Sequence, residues 1–240
     1  MTEPIAWSIT AQNLPEHARN PIHTDAGAQA AGFPRALVAG VTTYAYLTHP
    51  LVVAWGEDWL ARGGGEVRFR RPVFDQDRLI CDPHPIDGDV EVRAITGEPE
   101  QPRAIFRAAR DSGVAQPLRS GENLPVKEFV LDDEWGSGYG SRAGDDYSFY
   151  ADRGLVHPAV WPAVANDIVY NHVARGSWVH MRSIVRHHAT ARHGAVAEVR
   201  AVVVRRFHGH GERAVLDVQI SVAGEVVASL EHEAIIDLTV

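Results

Sequence analysis

The chain has 240 residues, 45% of them hydrophobic and 22% charged, a composition that predicts a globular protein and excludes extended disorder. Its 23 basic and 31 acidic residues give a formal net charge of -8, which disfavours nucleic acid as a partner. The single cysteine, Cys81, cannot form an internal disulfide, the first residues lack a secretory pattern, and no apolar stretch suits a membrane helix, so we expect a cytoplasmic protein that binds no membrane.

The first half of the chain predicts a strand, a long helix and then several strands. A short strand over residues 6–13 precedes an alanine-rich helical turn. Residues 33–61 are apolar at helical spacing and end at the glycines of RGGG. Four strand-like runs separated by Asp, Gly and Pro follow between residues 66 and 110. This order predicts an antiparallel sheet whose apolar face is covered by the helix.

The second half repeats the same order. Residues 113–127 are polar and contain Pro, Gly and Ser, which predicts a linker between units at 1–112 and 128–240. A strand, a helix within residues 147–176 and further strands then follow. The segment after the first helix, ARGGGEVRFRRPV, corresponds to ARGSWVHMRSIVRHH after the second, which indicates an internal repeat.

One short motif in the first half carries a resemblance to a known family. Residues 18–25 read ARNPIHTD and contain the run NPIH, which ends at His23. Together with ALVAGVTTY and VRFRRPVFDQDRL further along, this run resembles the MaoC-like dehydratases, also called the R-specific enoyl-CoA hydratase (hydratase 2) family. The resemblance implies an α+β double hotdog, in which a curled antiparallel sheet wraps a long central helix in each half.

The resemblance also implies an activity, which is the reversible hydration of a 2-enoyl thioester of coenzyme A or of a carrier protein, without a cofactor. That reaction needs proton-transfer groups and hydrogen-bond donors for the thioester oxygen as it gains negative charge. By resemblance, His23 transfers the proton and Asn20 orients the loop. The backbone N–H groups of Gly40 and Val41, at the start of the first central helix, would bind the oxyanion.

The sequence departs from the family at one important position. The family pattern Gly-Asp-x-Asn-Pro-x-His places its aspartate at position 18, which is Ala18 here. Asp25 is a candidate substitute if the segment is extended, and otherwise a cap for the short helix that follows. Glu16 and His17 could reach inward if the loop is rearranged, or could face solvent. His23 could itself be a structural histidine satisfied by backbone hydrogen bonds.

The second half lacks the NPIH run and offers other polar residues. His157 precedes the second helix, and Asn166 lies inside it, where we favour a structural hydrogen bond that closes the tandem. Two alternatives to a hydratase therefore stay open. One is a catalytically silent or repurposed hotdog that binds an acyl chain or a partner. The other is a different hotdog enzyme, such as a thioesterase or a specialised biosynthetic dehydratase.

The sequence also bears on metal binding, on contacts with coenzyme A and on the oligomeric state. His208 and His210 alternate on a predicted strand near further histidines, but a metal site also wants a carboxylate or thiolate, so we expect no metal. The arginines of residues 68–71 could contact coenzyme A phosphates or form a solvated face. A tandem already buries the surface by which single hotdogs dimerise, which leaves a homodimer of tandems open.

Overall fold

The computed structural model describes residues 2–209 and 211–238. Within them lie two long helices, three short ones and eleven strands. The helices are α1 (Asp25–Ala30), α2 (Gly40–Arg62), α3 (Tyr139–Arg142), α4 (Phe149–Arg153) and α5 (Val160–His172). The strands are β1 (Trp7–Thr10), β2 (Gly64–Phe69), β3 (Arg78–Ile86), β4 (Asp89–Ile95), β5 (Ala104–Ala109), β6 (Glu122–Asn123), β7 (Lys127–Val130), β8 (Val179–His187), β9 (Val196–Gly209), β10 (Gly211–Val222) and β11 (Glu225–Asp237).

All of these strands belong to one antiparallel sheet that contains the internal repeat. The first half has the order β1-β3-β4-β5-β2, and the second half has the same order as β7-β9-β10-β11-β8. The short strand β6 also pairs with β9. The halves join where β2 pairs with β8, from Gly64↔Arg186 to Arg68↔Arg182. The predicted α+β organisation is confirmed.

The two long helices share one hydrophobic core with the sheet. Tyr44 and Leu47 of α2 and Ile168 of α5 are fully buried in the same cluster as Phe106 of β5 and Leu216 of β10. The halves therefore pack as one body, since burial of this apolar surface is the main stabilising contribution. Among the helices of the described ranges, none has both the length and the apolar character needed to cross a membrane.

Both central helices are shorter than the sequence predicts. The first begins at Gly40 rather than near residue 33, because Leu37 forms a β-bridge with Phe74 and holds the preceding chain extended. The second is divided into α4 and α5. Gly154 ends α4 in the left-handed conformation with φ +60°, which glycine adopts without strain, and Leu155 bridges to Arg192.

The segment predicted as a linker, residues 113–127, lies along the sheet of the second half. It contains β6, and the backbone N–H of Arg119 donates to the Asp217 carboxylate at 2.8 Å. The Arg119 guanidinium also forms salt bridges with Asp217 at 3.3 Å and Glu231 at 2.8 Å. This contact gives the polar segment a fixed course over the strands.

Candidate functional site

The NPIH run is fixed to the second half by its asparagine. Asn20 is buried, and its Nδ2 donates to the backbone oxygen of Trp178 at 2.9 Å, just before β8. Pro21, Ile22 and His23 then form a single 3₁₀ turn, and proline suits its first position because no backbone N–H is needed there. This hydrogen bond joins the turn that carries His23 to the second half of the chain.

His23 has one ring nitrogen held by the backbone. Its Nδ1 lies 2.7 Å from the carbonyl oxygen of Leu37, so Nδ1 carries the proton and donates it. Burial lowers the pKa of His23, and the Leu37 carbonyl opposes that shift only in part. The ring is therefore neutral at pH 7, and Nε2 presents a lone pair that can accept a proton.

A small apolar cluster packs against the 3₁₀ turn that carries His23. Ile22, Ala28 of α1 and Leu37 are buried together. Helix α1 approaches closely at Gly27, where a Cβ would lie 2.1 Å from the backbone oxygen of Pro21. Only glycine allows this approach, so the sequence DAGAQA packs the short helix against the turn and holds His23 in place.

Asp25 does not reach the site. Its side chain is exposed, and Oδ1 accepts a hydrogen bond from the backbone N–H of Ala36 at 2.8 Å. The cap of α1 is Thr24, whose hydroxyl accepts from the N–H of Gly27 at 3.2 Å. Asp25 is thus neither the neighbour of His23 nor the cap that the sequence suggested, because the chain turns into α1 at that point.

His17, and not residue 18, lies beside His23. Ala18 is exposed at the end of the 3₁₀ turn Pro15–His17, so a carboxylate there would face solvent. The ring centroids of His17 and His23 are 5.8 Å apart. Nε2 of His17 lies 3.2 Å from the Tyr139 hydroxyl and 3.3 Å from the Thr42 hydroxyl. Burial, and then the neighbouring His23, lower the pKa of His17 to about 3, so this ring is also neutral.

The start of α2 is an open donor site. Gly40 and Val41 are its first residues, and Ala39 at the cap position provides no side-chain hydrogen bond. First-turn amides have no acceptor within the helix, and the helix dipole favours negative charge there. A Cβ on Gly40 would lie 3.3 Å from both His180 Nδ1 and the Phe69 ring, so glycine keeps this approach clear.

A cavity of about 220 Å³, here called the motif cavity, joins these groups. Asn20, His23 and Gly40 line it together with apolar side chains from both halves. Arg70 and Arg71 also line it and are exposed, and neither forms a salt bridge within the described ranges. The cavity therefore combines a neutral imidazole, a helix start and unpaired cations.

A second cavity of about 310 Å³ is lined by His17, and it is called the second cavity below. Val41 and Tyr139 line it, and so does Glu16, which forms a salt bridge with Arg142 at 3.2 Å. Asn166 of α5 lines both cavities, and among the described residues it is the one shared by the two.

The second half contributes polar groups to the motif cavity that sequence reasoning missed. Trp178 and His180 line it, and both Trp178 Nε1 and His180 Nδ1 are buried without a hydrogen bond to any residue that the structure describes. Nε2 of His180 lies 2.8 Å from the hydroxyl of Ser183, which lies 2.9 Å from His232 Nδ1. Burial lowers the pKa of His180 well below its ordinary value and that of His232 to about 3. The strand β8 reads VHMRSIVRH, and its mixture of polar and apolar residues does not mark His180 as a residue of the cavity.

The other sequence candidates lie outside both cavities. His157 is buried, and its Nδ1 accepts a hydrogen bond from the backbone N–H of Ala159 at 3.1 Å. A buried carboxylate–imidazole pair does exist, between Asp145 and His49 at 2.7 Å, but the His49 ring is stacked on Trp7 with centroids 3.8 Å apart. That pair ties α2 to the loop before α4 and does not border the motif cavity.

The histidine cluster does not form a metal site in the described ranges. No group of three or more His, Cys, Asp or Glu side chains there is placed to hold a metal ion, and His210 lies outside the described residues. His187 is fully buried, and its Nδ1 contacts the backbone oxygen of Trp59 at 3.1 Å. This histidine therefore lies in the interior and is held by the backbone.

Comparison with known proteins identifies the fold. No family model and no curated protein matches the chain. Among solved structures, a conserved hypothetical protein from Mycobacterium tuberculosis with a double hotdog fold is similar at a TM-score of 0.68 and 11% identity, over 98% of this chain and 96% of that one. A MaoC-like dehydratase is similar at a TM-score of 0.61 and 14% identity, over 97% of each chain. A protein from Lactobacillus plantarum described as an oleoyl thioesterase is similar at 0.57 and 9% identity, over 97% of this chain and 96% of that one. The chain therefore has the double hotdog fold that the sequence predicts.

Proposed function

We propose that the chain is a MaoC-like hydratase or dehydratase that adds water reversibly to a 2-enoyl thioester. The observation that carries this proposal is the motif cavity, where the free Nε2 of His23 and the open start of α2 line one space. These are the two components that enoyl hydration needs, a proton-transfer group and donors for a developing enolate oxygen.

The chemistry follows from these positions. The thioester oxygen accepts hydrogen bonds from the N–H groups of Gly40 or Val41, which stabilise the negative charge as the enolate forms. A water oxygen bonds to C3 of the substrate while one of its protons passes to Nε2 of His23. The imidazolium then returns that proton to C2. The net change is addition of H and OH across the double bond, and dehydration is the reverse.

His17 replaces the expected carboxylate in this scheme as a water-orienting residue. A ring separation of 5.8 Å allows one water molecule to bridge the two imidazoles. Tyr139 and Thr42 hold the His17 ring through their hydroxyls. Neutral His17 can bind the water without taking its proton, because burial keeps its pKa low.

The positive charge beside the motif cavity supports a phosphate-bearing carrier for the thioester. Arg70 and Arg71 are exposed beside the motif cavity without carboxylate partners in the described part of the chain, whereas Arg68 is paired with Glu66 at 2.8 Å. Free guanidinium groups suit the phosphates of coenzyme A or of a carrier protein's phosphopantetheine. We therefore propose an acyl thioester of one of these carriers as the substrate.

One observation favours a second candidate, a silent hotdog that binds an acyl thioester without converting it. Within residues 2–209 and 211–238, no carboxylate hydrogen-bonds to His23. Loss of a general acid or base lowers a rate by about 10²–10⁴-fold. A thioesterase is the third candidate, and it differs from the others because it releases a free thiol.

A single assay separates the three. Purified protein is incubated with crotonyl-CoA and with longer 2-enoyl-CoA esters, and enoyl absorbance and free thiol are followed together. We expect loss of enoyl absorbance without thiol, and a decrease of about 10²–10⁴-fold for His23→Ala. Thiol release would support the thioesterase. Binding by calorimetry without either signal would support the silent binder.

A further inference from the structure

Asn166 lines both of the cavities that hold the components of the proposed reaction. His23 and Gly40 line the motif cavity, whereas His17 and Val41 line the second cavity. Asn166 lines both. The rings of His17 and His23 are 5.8 Å apart, so the residue shared by the two cavities belongs to the same neighbourhood as both imidazoles.

The amide oxygen of Asn166 is unpaired among the described residues. Its Oδ1 is buried and accepts no hydrogen bond from any described residue, so the structural bond expected from the sequence is not formed. Buried acceptors are rarely left unpaired, because their lost hydration is not replaced. An unpaired acceptor beside two cavities indicates a bound donor, such as a hydroxyl or a water molecule.

Asp167, the residue after Asn166, connects helix α5 to the loop that presents His23. Asp167 is buried and forms a salt bridge with Arg19 at 2.6 Å and another with Lys127. Arg19 directly precedes Asn20, so one ion pair ties α5 to the loop that presents His23. The helix position next to Asn166 is thus tied to the loop that presents His23.

We propose that Asn166 Oδ1 accepts a hydrogen bond from the water that adds to the substrate and, after addition, from the C3 hydroxyl of the product. This rests on the proposed hydration. The amide orients the lone pair of the water oxygen toward C3 while His23 takes the proton. Asn166 provides the acceptor oxygen that a carboxylate would offer, but it does not change its charge.

Two measurements test the role, one with turnover and one without. Wild-type protein should bind 3-hydroxybutyryl-CoA about two- to tenfold more tightly than butyryl-CoA by calorimetry, the value of one hydrogen bond. Asn166→Leu keeps a similar side-chain shape without the acceptor. This variant should lose the preference, and its kcat for crotonyl-CoA hydration should fall roughly 10- to 100-fold with little change in KM.

The matched control is Asn171→Leu on the same helix. Asn171 is exposed, its Nδ2 donates to Asp167, and it is not among the described residues that line either cavity. It should keep both the preference and kcat. Equal losses in the two variants, or a preserved preference in Asn166→Leu, would overturn the proposal.

If circular dichroism shows that Asn166→Leu does not fold, a third variant tests the same contact. Asn166→Asp retains an acceptor oxygen and should keep the preference for the hydroxyl. It should also add a limb to the pH profile of kcat/KM that rises with pH, since burial raises the pKa of a carboxyl group. A folded Asp variant without the preference contradicts the contact.

The outcomes also separate this inference from the proposed function. A wild type that hydrates nothing, yet shows a hydroxyl preference that Asn166→Leu removes, refutes hydration and supports the contact. A wild type that hydrates crotonyl-CoA with no effect of Asn166→Leu supports hydration and overturns the contact.

Discussion

The two central helices of this tandem begin in opposite ways. Helix α2 starts at Gly40 with no side chain bound to its first amides, and this start lines both cavities. Before α5, the ring of His157 accepts the N–H of Ala159 and lies 4.3 Å from the ring of Tyr150. A helix start attracts negative charge only when its amides are free, so one start is available to a ligand and the other is filled by the protein itself.

The two starts are equivalent positions of the repeat. The N–H of Val38 donates to Val73 at 2.8 Å, and that of Val156 donates to Ala191 at 3.0 Å. His157 therefore occupies the place that Ala39 has in the first half. At this position the two starts therefore differ by a small side chain in the first half and an imidazole in the second, and the next residue is Gly40 in one and Pro158 in the other.

Lowering the pH should have the largest effect, because it should decrease the free energy of unfolding through the buried histidines. Burial lowers the pKa of His17, His157 and His232 to about 3 and that of His187 to about 4, and three of these four lie in the second half. Between those values and the ordinary pKa near 6.5, the unfolded chain binds more protons than the folded one. The free energy of unfolding is thus at its maximum above pH 6.5 and falls with decreasing pH, by up to about 1.4 kcal/mol per pH unit for each histidine.

Urea unfolding at a series of pH values measures this slope. His157→Phe should make the slope shallower by about one proton, because the residue can no longer titrate. A free energy of unfolding that stays constant from pH 7 to pH 5 would contradict the assignment of neutral buried histidines.

The closed helix start should be structural. His157→Ala removes the acceptor for Ala159 and leaves a cavity beside Tyr150, so we expect a loss of about 2–4 kcal/mol in the free energy of unfolding. His193→Ala, at an exposed histidine, should change it very little. Hydration should continue in the folded variant, since His157 lines neither cavity. Abolished hydration in a folded His157→Ala would show that the second start also carries chemistry.

In the proposed reaction near the start of α2, His17 orients the water molecule that adds to the substrate. His17→Asn should lower kcat/KM for enoyl-CoA hydration by about 10- to 100-fold, because the ring beside His23 is removed. Ala18→Asp is the neighbouring control, and it should leave the rate nearly unchanged because residue 18 is exposed. A large gain of rate in Ala18→Asp would mean that position 18 does reach His23.

Crowding the open start should have the smallest effect of the series. Gly40→Ala places a methyl group 3.3 Å from His180 Nδ1 and from the Phe69 ring, which must shift by a few tenths of an ångström. We expect a decrease of about tenfold in kcat/KM, measured by loss of enoyl absorbance. Gly176→Ala introduces a methyl group into open space and serves as the control. Full activity in Gly40→Ala would argue against a substrate at this position.

Local patterns predicted the fold well and the site only in part. The strands alternate, Gly63 and Gly154 end α2 and α4, and the NPIH run carries the turn that presents His23, so these features follow from neighbouring residues. The inward position of His17 does not, because one 3₁₀ turn decides which of residues 16–18 faces the interior. Asn166 and His180 come from the other half, and only the packing of α5 and β8 against the first half brings them to the cavity.

The pairing of β2 with β8 has a consequence for symmetry. A dimer of two identical hotdog chains would have to use the same residue at both helix starts, so an imidazole that closes one would close both. Here a single polypeptide supplies both halves, and the two positions are encoded separately. Each chain can therefore close one pseudo-equivalent position with its own side chain and leave the other open.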